Sequence, residues 1–154
     1  MNYEETLKKL NLAIPEPPKP AGAYQPVVEA GGLAFLSGQI SKDAGGQVLS
    51  GKVGRDLTLK EGREAARMAA MNAIALIRSL IGFDRFEKIV RVVGYVQSAP
   101  DFYEISKVMD GASELFQSVF GEAGLPARSA LGLASLPLNA AVEIEVTVQL
   151  KPKE

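Results

Sequence analysis

Residues 125–150 read "LPARSALGLASLPLNAAVEIEVTVQL" and contain two predicted strands, 127–135 and 140–150. The second strand alternates strictly between apolar and polar residues. Its apolar side consists of Val142, Ile144, Val146, Val148 and Leu150, and its polar side of Glu143, Glu145, Thr147 and Gln149. Because successive side chains of a strand point to opposite faces, we expect the apolar side to pack against helices. The polar side then faces water, a subunit interface or a functional site, and a solvated face is the most frequent of these.

Arg128 is the only charged residue between Leu125 and Ala141. A guanidinium is always charged, and its planar fork of donors matches a carboxylate in two parallel hydrogen bonds. An arginine at a strand end is more often exposed, or paired with an aspartate or glutamate of the same chain. The residues alone therefore leave both readings open, a structural ion pair and a carboxylate-binding group.

The preceding residues predict the other elements of an α+β domain. A short amphipathic helix is expected over 3–12, followed by a proline-rich arm, so that residues 1–20 lie outside the single domain 21–154. Further predicted elements are two strands within 24–41 around a Gly31-Gly32 turn, a helix from Thr58 to Gly82, a strand over 86–98 and a helix over 102–120. Thr58 and Glu61 form a capping-box pattern, and Gly111 is a weak point of the last helix. The order is β-β-α-β-α-β-β, with helices packed on a mixed sheet.

Composition excludes several function classes. The 154 residues contain 17 basic and 18 acidic side chains, a net charge of −1, and neither histidine nor cysteine. Disulfides and thiolate metal sites are therefore excluded, and the commonest metal ligand is missing, so we expect no metal or cofactor. A near-neutral balance argues against nucleic acid as a partner. The charged start "MNYEETLKKL" and the lack of a long apolar run predict a cytoplasmic protein without membrane association.

Two motifs resemble the Rid (YjgF-like) family of reactive-intermediate deaminases, whose members are also called endoribonuclease L-PSP or translation inhibitors. They are "AGAYQPVVEAGGLAFLSGQIS" at 21–41 and "LPARSALGLASLPLNAAVEIEV" at 125–146, and the resemblance extends over about 21–151. It implies a chorismate-mutase-like fold with two helices on one face of a mixed sheet. It also implies a homotrimer around a central barrel, with ligand clefts between adjacent subunits. The proline-rich arm and the long second helix are typical of a divergent branch.

The resemblance implies hydrolysis of reactive 2-imino acids to 2-keto acids and ammonia, without a cofactor. By position in the motifs, Arg128 holds the substrate carboxylate and Glu143 lies near the attacking water. Tyr24 and Ser37 contribute hydroxyl groups, and the backbone of Ala130 lies near the imine.

Asp110 is the nearest match to an asparagine that many active members place in the second helix. A carboxylate there adds negative charge beside an anionic ligand, which bears on the identity of the substrate and favours the first of two other functions. One is a non-catalytic trimer that binds small carboxylates or regulates a partner. The other is the endoribonuclease or translation inhibitor of the older family names, against which the net charge of −1 and the lack of histidine argue.

Overall fold

The computed structural model describes residues 1–153. The helices are α1 (Tyr3–Lys9), α2 (Leu59–Leu76) and α3 (Ile105–Phe120). The strands are β1 (Val27–Ala30), β2 (Leu33–Ile40), β3 (Phe86–Gln97), β4 (Ala127–Leu133) and β5 (Val142–Leu150). A π-helical turn (Ile77–Ile81) extends α2, and 3₁₀ turns cover Gly121–Gly124 and Pro137–Asn139. The predicted order β-β-α-β-α-β-β is confirmed.

The five strands form one mixed sheet in the order β1-β2-β5-β3-β4. The β3–β4 pair is parallel, because α3 crosses between these strands, and the other three pairs are antiparallel. Strand β5 therefore lies at the centre of the sheet, and β4 lies at one edge. Helices α2 and α3 pack on the same face, as predicted for a chorismate-mutase-like fold.

The alternation of β5 determines which face of the sheet is covered. All five of its apolar side chains are at most 8% exposed and belong to the core under α2 and α3. Its polar residues lie on the opposite face, which we call the open face. The open face also carries Val28, Phe35, Tyr95, Ser129 and Leu131, by the register of neighbouring strands.

Local chemistry fixes the helix ends. The predicted capping box is present, with Thr58 and Glu61 each accepting from the other's backbone N–H. Helix α1 ends earlier than predicted, at Lys9, because Asn11 adopts a left-handed backbone with φ of 53°. Helix α3 begins at Ile105 instead of residue 102, since the Phe102 N–H closes a turn onto the Ala99 carbonyl.

Gly111 does not interrupt α3. It lies where α3 crosses α2, and a Cβ at this position would collide with the Arg63 carbonyl. The glycine therefore permits close helix packing, which outweighs its low helix propensity. Within residues 1–153 no helix is both long and apolar enough to cross a lipid bilayer.

Candidate functional site

Three of the predicted site residues share one pocket of about 370 Å³. Tyr24 comes from the segment before β1, Ser37 from β2 and Glu143 from β5. The remaining wall includes Pro18, Lys19, Pro20 and Ala21 of the N-terminal arm, Lys42 and Asn72, and Pro137 and Leu138. The arm, which the sequence placed outside the domain, thus forms one side of this pocket.

A β-bulge brings Ser37 and Gly38 to Glu143. Between Leu36 and Gln39 strand β2 has one residue more than β5 opposite, where Leu36 pairs with Val146 and Gln39 with Ile144. The Glu143 carboxylate lies over Gly38 so closely that a Cβ there would collide with its Oε1. Bulges often re-aim side chains beside functional sites, and this one opens room for a carboxylate on the open face.

Glu143 is partly buried, and its pKa is raised above the ordinary glutamate value. Burial is the main cause, because it penalises the charged form, and the nearby Glu145 carboxylate adds repulsion. Glu145 itself accepts a 2.7 Å hydrogen bond from the Tyr95 hydroxyl, and this interaction raises the pKa of Tyr95. Glu143 makes no such bond within residues 1–153, so its oxygens are free to accept a proton from a bound water.

The two hydroxyl residues of the pocket differ in what they can donate. The Ser37 hydroxyl donates to the Gln25 carbonyl at 2.6 Å, so it ties the segment before β1 to β2. Its proton is used in this hydrogen bond, so in this arrangement the Ser37 oxygen is left as an acceptor toward a ligand. The Tyr24 hydroxyl accepts from the Ala21 N–H at 3.2 Å and keeps its own proton available. Tyr24 is therefore the hydroxyl donor of this pocket.

Arg128 lies elsewhere in the same chain. Its Nη1 donates to Oδ1 of Asp110 and to the Ser113 hydroxyl, each at 2.9 Å, and its Nη2 donates to the Ser106 carbonyl at 3.4 Å. These partners all belong to α3. The structural ion pair weighed for Arg128 is therefore present, and Asp110 is its acid.

The other edge of the Arg128 guanidinium remains open. Within residues 1–153 its Nε–H donates to no side chain or carbonyl, and its Nη2 makes only the long 3.4 Å bond to the Ser106 carbonyl. Nε–H and Nη2–H together form a fork that accepts a carboxylate side-on. Asp110 thus orients the guanidinium without occupying both of its binding edges.

The two groups of residues cannot meet within one chain. Arg128 pairs with Val92 and lies on the helix-covered face, whereas Glu143 pairs with Tyr95 and lies on the open face. Strand β3 separates them, a lateral offset of roughly 10 Å at the usual strand spacing. Ala130 packs against the core on the same side as Arg128 and does not line the pocket with Glu143.

Asn72 is a pocket residue that sequence reasoning missed, because it lies among the alanines on the buried side of α2. It is 3% exposed, and its amide nitrogen donates to the carbonyls of Ile40 at 3.1 Å and Lys42 at 2.9 Å. Its Oδ1 accepts no bond from residues 1–153, yet no fully buried side-chain atom there lacks a partner. Oδ1 is therefore reachable through the pocket that Asn72 lines. The sequence signal for Asn72 is a polar residue at a position where the helical spacing predicts a buried side chain.

Residues 1–153 contain no group of three or more acidic side chains placed to hold a metal ion. The chemistry available in the pocket is that of a carboxylate, a phenol, a side-chain amide and ammonium groups. Such groups can orient water, move a proton and bind an anionic ligand.

Comparisons with known proteins agree with this fold. Residues 4–150 match the "YjgF/chorismate mutase-like" family, whose description adds a candidate endoribonuclease activity. Protein TCP17 of Trypanosoma cruzi is 39% identical over 146 residues, covering 94% of this chain and 91% of that protein. A 2-iminobutanoate/2-iminopropanoate deaminase of Dermatophagoides farinae is 32% identical over 141 residues, covering 91% and 95%.

Solved structures give the same result. A candidate endoribonuclease from Shewanella oneidensis MR-1 superposes with a TM-score of 0.92 at 32% identity, covering 97% of this chain and all of that one (100%). Protein Atu1372 of Agrobacterium tumefaciens, of unknown function, gives 0.86 at 36% identity, covering 97% and 94%. Fold, family match and relatives therefore agree: the chain belongs to the YjgF/chorismate mutase-like family.

Proposed function

We propose that this protein hydrolyses 2-imino acids to 2-keto acids and ammonia, without a cofactor, at a site shared by two subunits of a homotrimer. The observation that carries the proposal is the Glu143 carboxylate, partly buried in a pocket with a raised pKa and oxygens free for water. A relative named as a 2-iminobutanoate/2-iminopropanoate deaminase, 32% identical to this chain, supports the choice of reaction.

The open face supports the assembly. Val28, Phe35 and Leu131 are 51%, 45% and 49% exposed on it, beside the polar residues of β5. A sheet face with half-exposed aliphatic and aromatic side chains is typical of an interface that a second chain covers. In a closed trimer each subunit presents the same two patches to its neighbours, so Arg128 of one subunit can reach the Glu143 pocket of the next.

In this proposal Arg128 binds the substrate carboxylate. Its free Nε–Nη2 edge offers the two parallel donors that a carboxylate requires, and Asp110 and Ser113 hold the guanidinium plane in position. Fixing the carboxylate aligns the imine carbon with the water at Glu143, and such alignment lowers the barrier by reducing the entropy lost on reaction.

The reaction then needs one water and four proton transfers, two in the addition of water and two in the release of ammonia. Glu143 accepts a proton as the water oxygen bonds to the imine carbon, and the electrons of the C=N bond move to nitrogen. That nitrogen takes up a proton, with the Tyr24 hydroxyl as the neighbouring donor. The Glu143 carboxyl then returns its proton to the amino nitrogen as the C–N bond of the carbinolamine breaks, and the carbinolamine hydroxyl gives its proton to the Tyr24 phenolate. A 2-keto acid and ammonia are released, and both side chains regain their starting protonation. General-base assistance of this kind contributes roughly 10²- to 10⁴-fold in rate.

The test is an imine-hydrolysis assay on 2-iminobutanoate with the wild type, Arg128→Ala and Arg128→Lys. We expect the wild type to accelerate hydrolysis over buffer, and both variants to lose most of kcat/KM, because a point charge cannot reproduce the fork. Arg85→Ala is the matched control, since Arg85 pairs with Glu29 far from the pocket, and it should retain full activity. A wild type no faster than buffer would overturn the enzymatic proposal.

A non-catalytic carboxylate-binding trimer is the second candidate, favoured by the contact between Asp110 and Arg128. It predicts that 2-oxobutanoate binds to the wild type and not to Arg128→Ala, while no imine is turned over. Calorimetry on the same proteins separates this result from the enzymatic one.

A further inference from the structure

The pocket around Glu143 extends well beyond the catalytic carboxylate. Its volume of about 370 Å³ corresponds to roughly a dozen water molecules at their liquid volume. The 2-imino acids derived from alanine or 2-aminobutyrate fill only a small part of this space. The other residues of the pocket wall therefore indicate which further chemical groups a ligand carries.

Two lysine residues belong to that wall. Lys19 comes from the N-terminal arm and Lys42 from the loop after β2, and both line the pocket. Neither forms an ion pair with any carboxylate of residues 1–153, and in particular neither pairs with Glu143. The pocket wall thus includes two lysines that form no ion pair within residues 1–153.

The position of Lys42 is fixed from behind by Asn72. The Asn72 amide donates to the carbonyls of Ile40 and of Lys42 itself, so the backbone at Lys42 is tied to helix α2. Since Asn72 is almost fully buried, this attachment is part of the core. The backbone of Lys42 is therefore held in place at the edge of the pocket.

The arm that carries Lys19 is held at both ends. Upstream, Leu7 of α1 is 3% exposed, and Tyr3 packs edge-on against Phe83, Phe86 and Phe120 with ring centroids 5.0–5.7 Å apart. Glu4 forms a two-bond ion pair with Arg78 at 2.8 and 3.0 Å.

Downstream, the Ser37 hydroxyl donates to the Gln25 carbonyl and the Ser37 N–H to the Pro26 carbonyl, which ties the chain to β2. Pro15, Pro17, Pro18 and Pro20 stiffen the segment between these two attachments. Lys19 therefore belongs to a fixed wall of the site.

From this arrangement we infer that the preferred ligands carry a second carboxylate, so that the substrate class is 2-imino diacids such as 2-iminoglutarate. This inference rests on the proposed function. Arg128 of the neighbouring subunit would hold the carboxylate next to the imine, and Lys19 and Lys42 would bind the distal one. Each extra contact between an ammonium and a carboxylate adds to binding only for a diacid, which gives discrimination against monoacids of equal length.

The test compares 2-iminoglutarate with 2-iminopentanoate, which has the same chain length and no distal acid. We expect the wild type to favour the diacid in kcat/KM. Lys19→Met/Lys42→Met should lower kcat/KM for 2-iminoglutarate by roughly three- to tenfold and leave that for 2-iminopentanoate unchanged. Lys60→Met is the control, because Lys60 is exposed on α2 away from the pocket, and it should change neither value.

Equal wild-type activity on both imines, or an equal loss on both in the double variant, would overturn the inference. If neither imine is turned over, the proposed function fails, and calorimetry with 2-oxoglutarate and 2-oxopentanoate still decides the inference. Tighter binding of 2-oxoglutarate that disappears in the double variant supports it. Equal binding of the two keto acids contradicts it.

Discussion

Arg128 forms the structural ion pair, one of the two alternatives that the sequence left open, and the other role, carboxylate binding, stays a proposal. One edge of its guanidinium forms an ion pair with Asp110 and a hydrogen bond with Ser113, and the other edge carries a free fork. The ion pair fixes the plane of the fork, so the Asp110 carboxylate in α3 does not by itself exclude an anionic ligand. The position of Arg128 was predictable from its motif. Its attachment to α3 was not, because it depends on how the edge strand and the helix pack.

At the same scale, the raised pKa of Glu143 gives a pH prediction. A general base must be ionised, so kcat/KM should rise with pH through the pKa of Glu143, above the usual glutamate value of about 4.3. The variant Glu145→Gln removes a negative charge that disfavours ionised Glu143. The pKa of Glu143 then falls, and we expect the acid limb of the pH profile to move to lower pH.

The measurement is kcat/KM for one imine against pH in both proteins. The titration of the substrate is common to both, so the difference between the two profiles reports on the enzyme. Tyr95→Phe serves as the control, because it removes the hydrogen bond to Glu145 and leaves the Glu145 charge in place. An acid limb that stays fixed in Glu145→Gln, or moves to higher pH, would contradict the role of Glu143 as the base.

At the scale of elements, regular patterns were predictable and local irregularities were not. The alternation of β5 and the capping box of α2 follow from side-chain period and hydrogen-bond chemistry, and both are present as predicted. Apart from Gly38, the sequence contains no signal for the bulge in β2, because the bulge arises from the pairing of β2 with β5, which is distant in sequence. The contribution of the arm was also missed, since its aromatic contacts join residues far apart in sequence.

The bulge predicts the effect of Gly38→Ala. A methyl group at this position would collide with the Glu143 carboxylate, and the glycine does not have a positive φ, so the backbone tolerates alanine. We expect Glu143 to be displaced and kcat/KM to fall roughly tenfold to a hundredfold, as for other small misplacements of catalytic groups. The melting temperature should change little.

Gly45→Ala is the matched substitution, because its Cβ would meet only Asp43 Oδ1 at an ordinary 3.4 Å in an exposed loop. It should alter neither activity nor melting temperature. Full activity in Gly38→Ala would show that the contact with Glu143 has no part in catalysis.

At the scale of the whole molecule, one chain holds two incomplete halves of a site on opposite faces of its sheet. The half with Tyr24, Ser37 and Glu143 lies in the pocket, and the half with Arg128 lies at the β4 edge. The sequence motifs contain both halves but no information on the distance between them. The strand order shows that the two halves lie apart within one chain, and the trimer that we propose would bring them together.

Mixed trimers test this claim most directly. Arg128→Ala and Glu143→Gln chains are assembled separately and also refolded together in equal amounts, and imine hydrolysis is measured per subunit. If each site takes Arg128 from one subunit and Glu143 from the next, random assembly restores about one quarter of the sites, although each variant alone is inactive. A mixture of wild type with the Arg128→Ala/Glu143→Gln double variant should likewise retain about one quarter. No recovery in the first mixture, with about one half retained in the second, would contradict the account and place the whole site within a single chain.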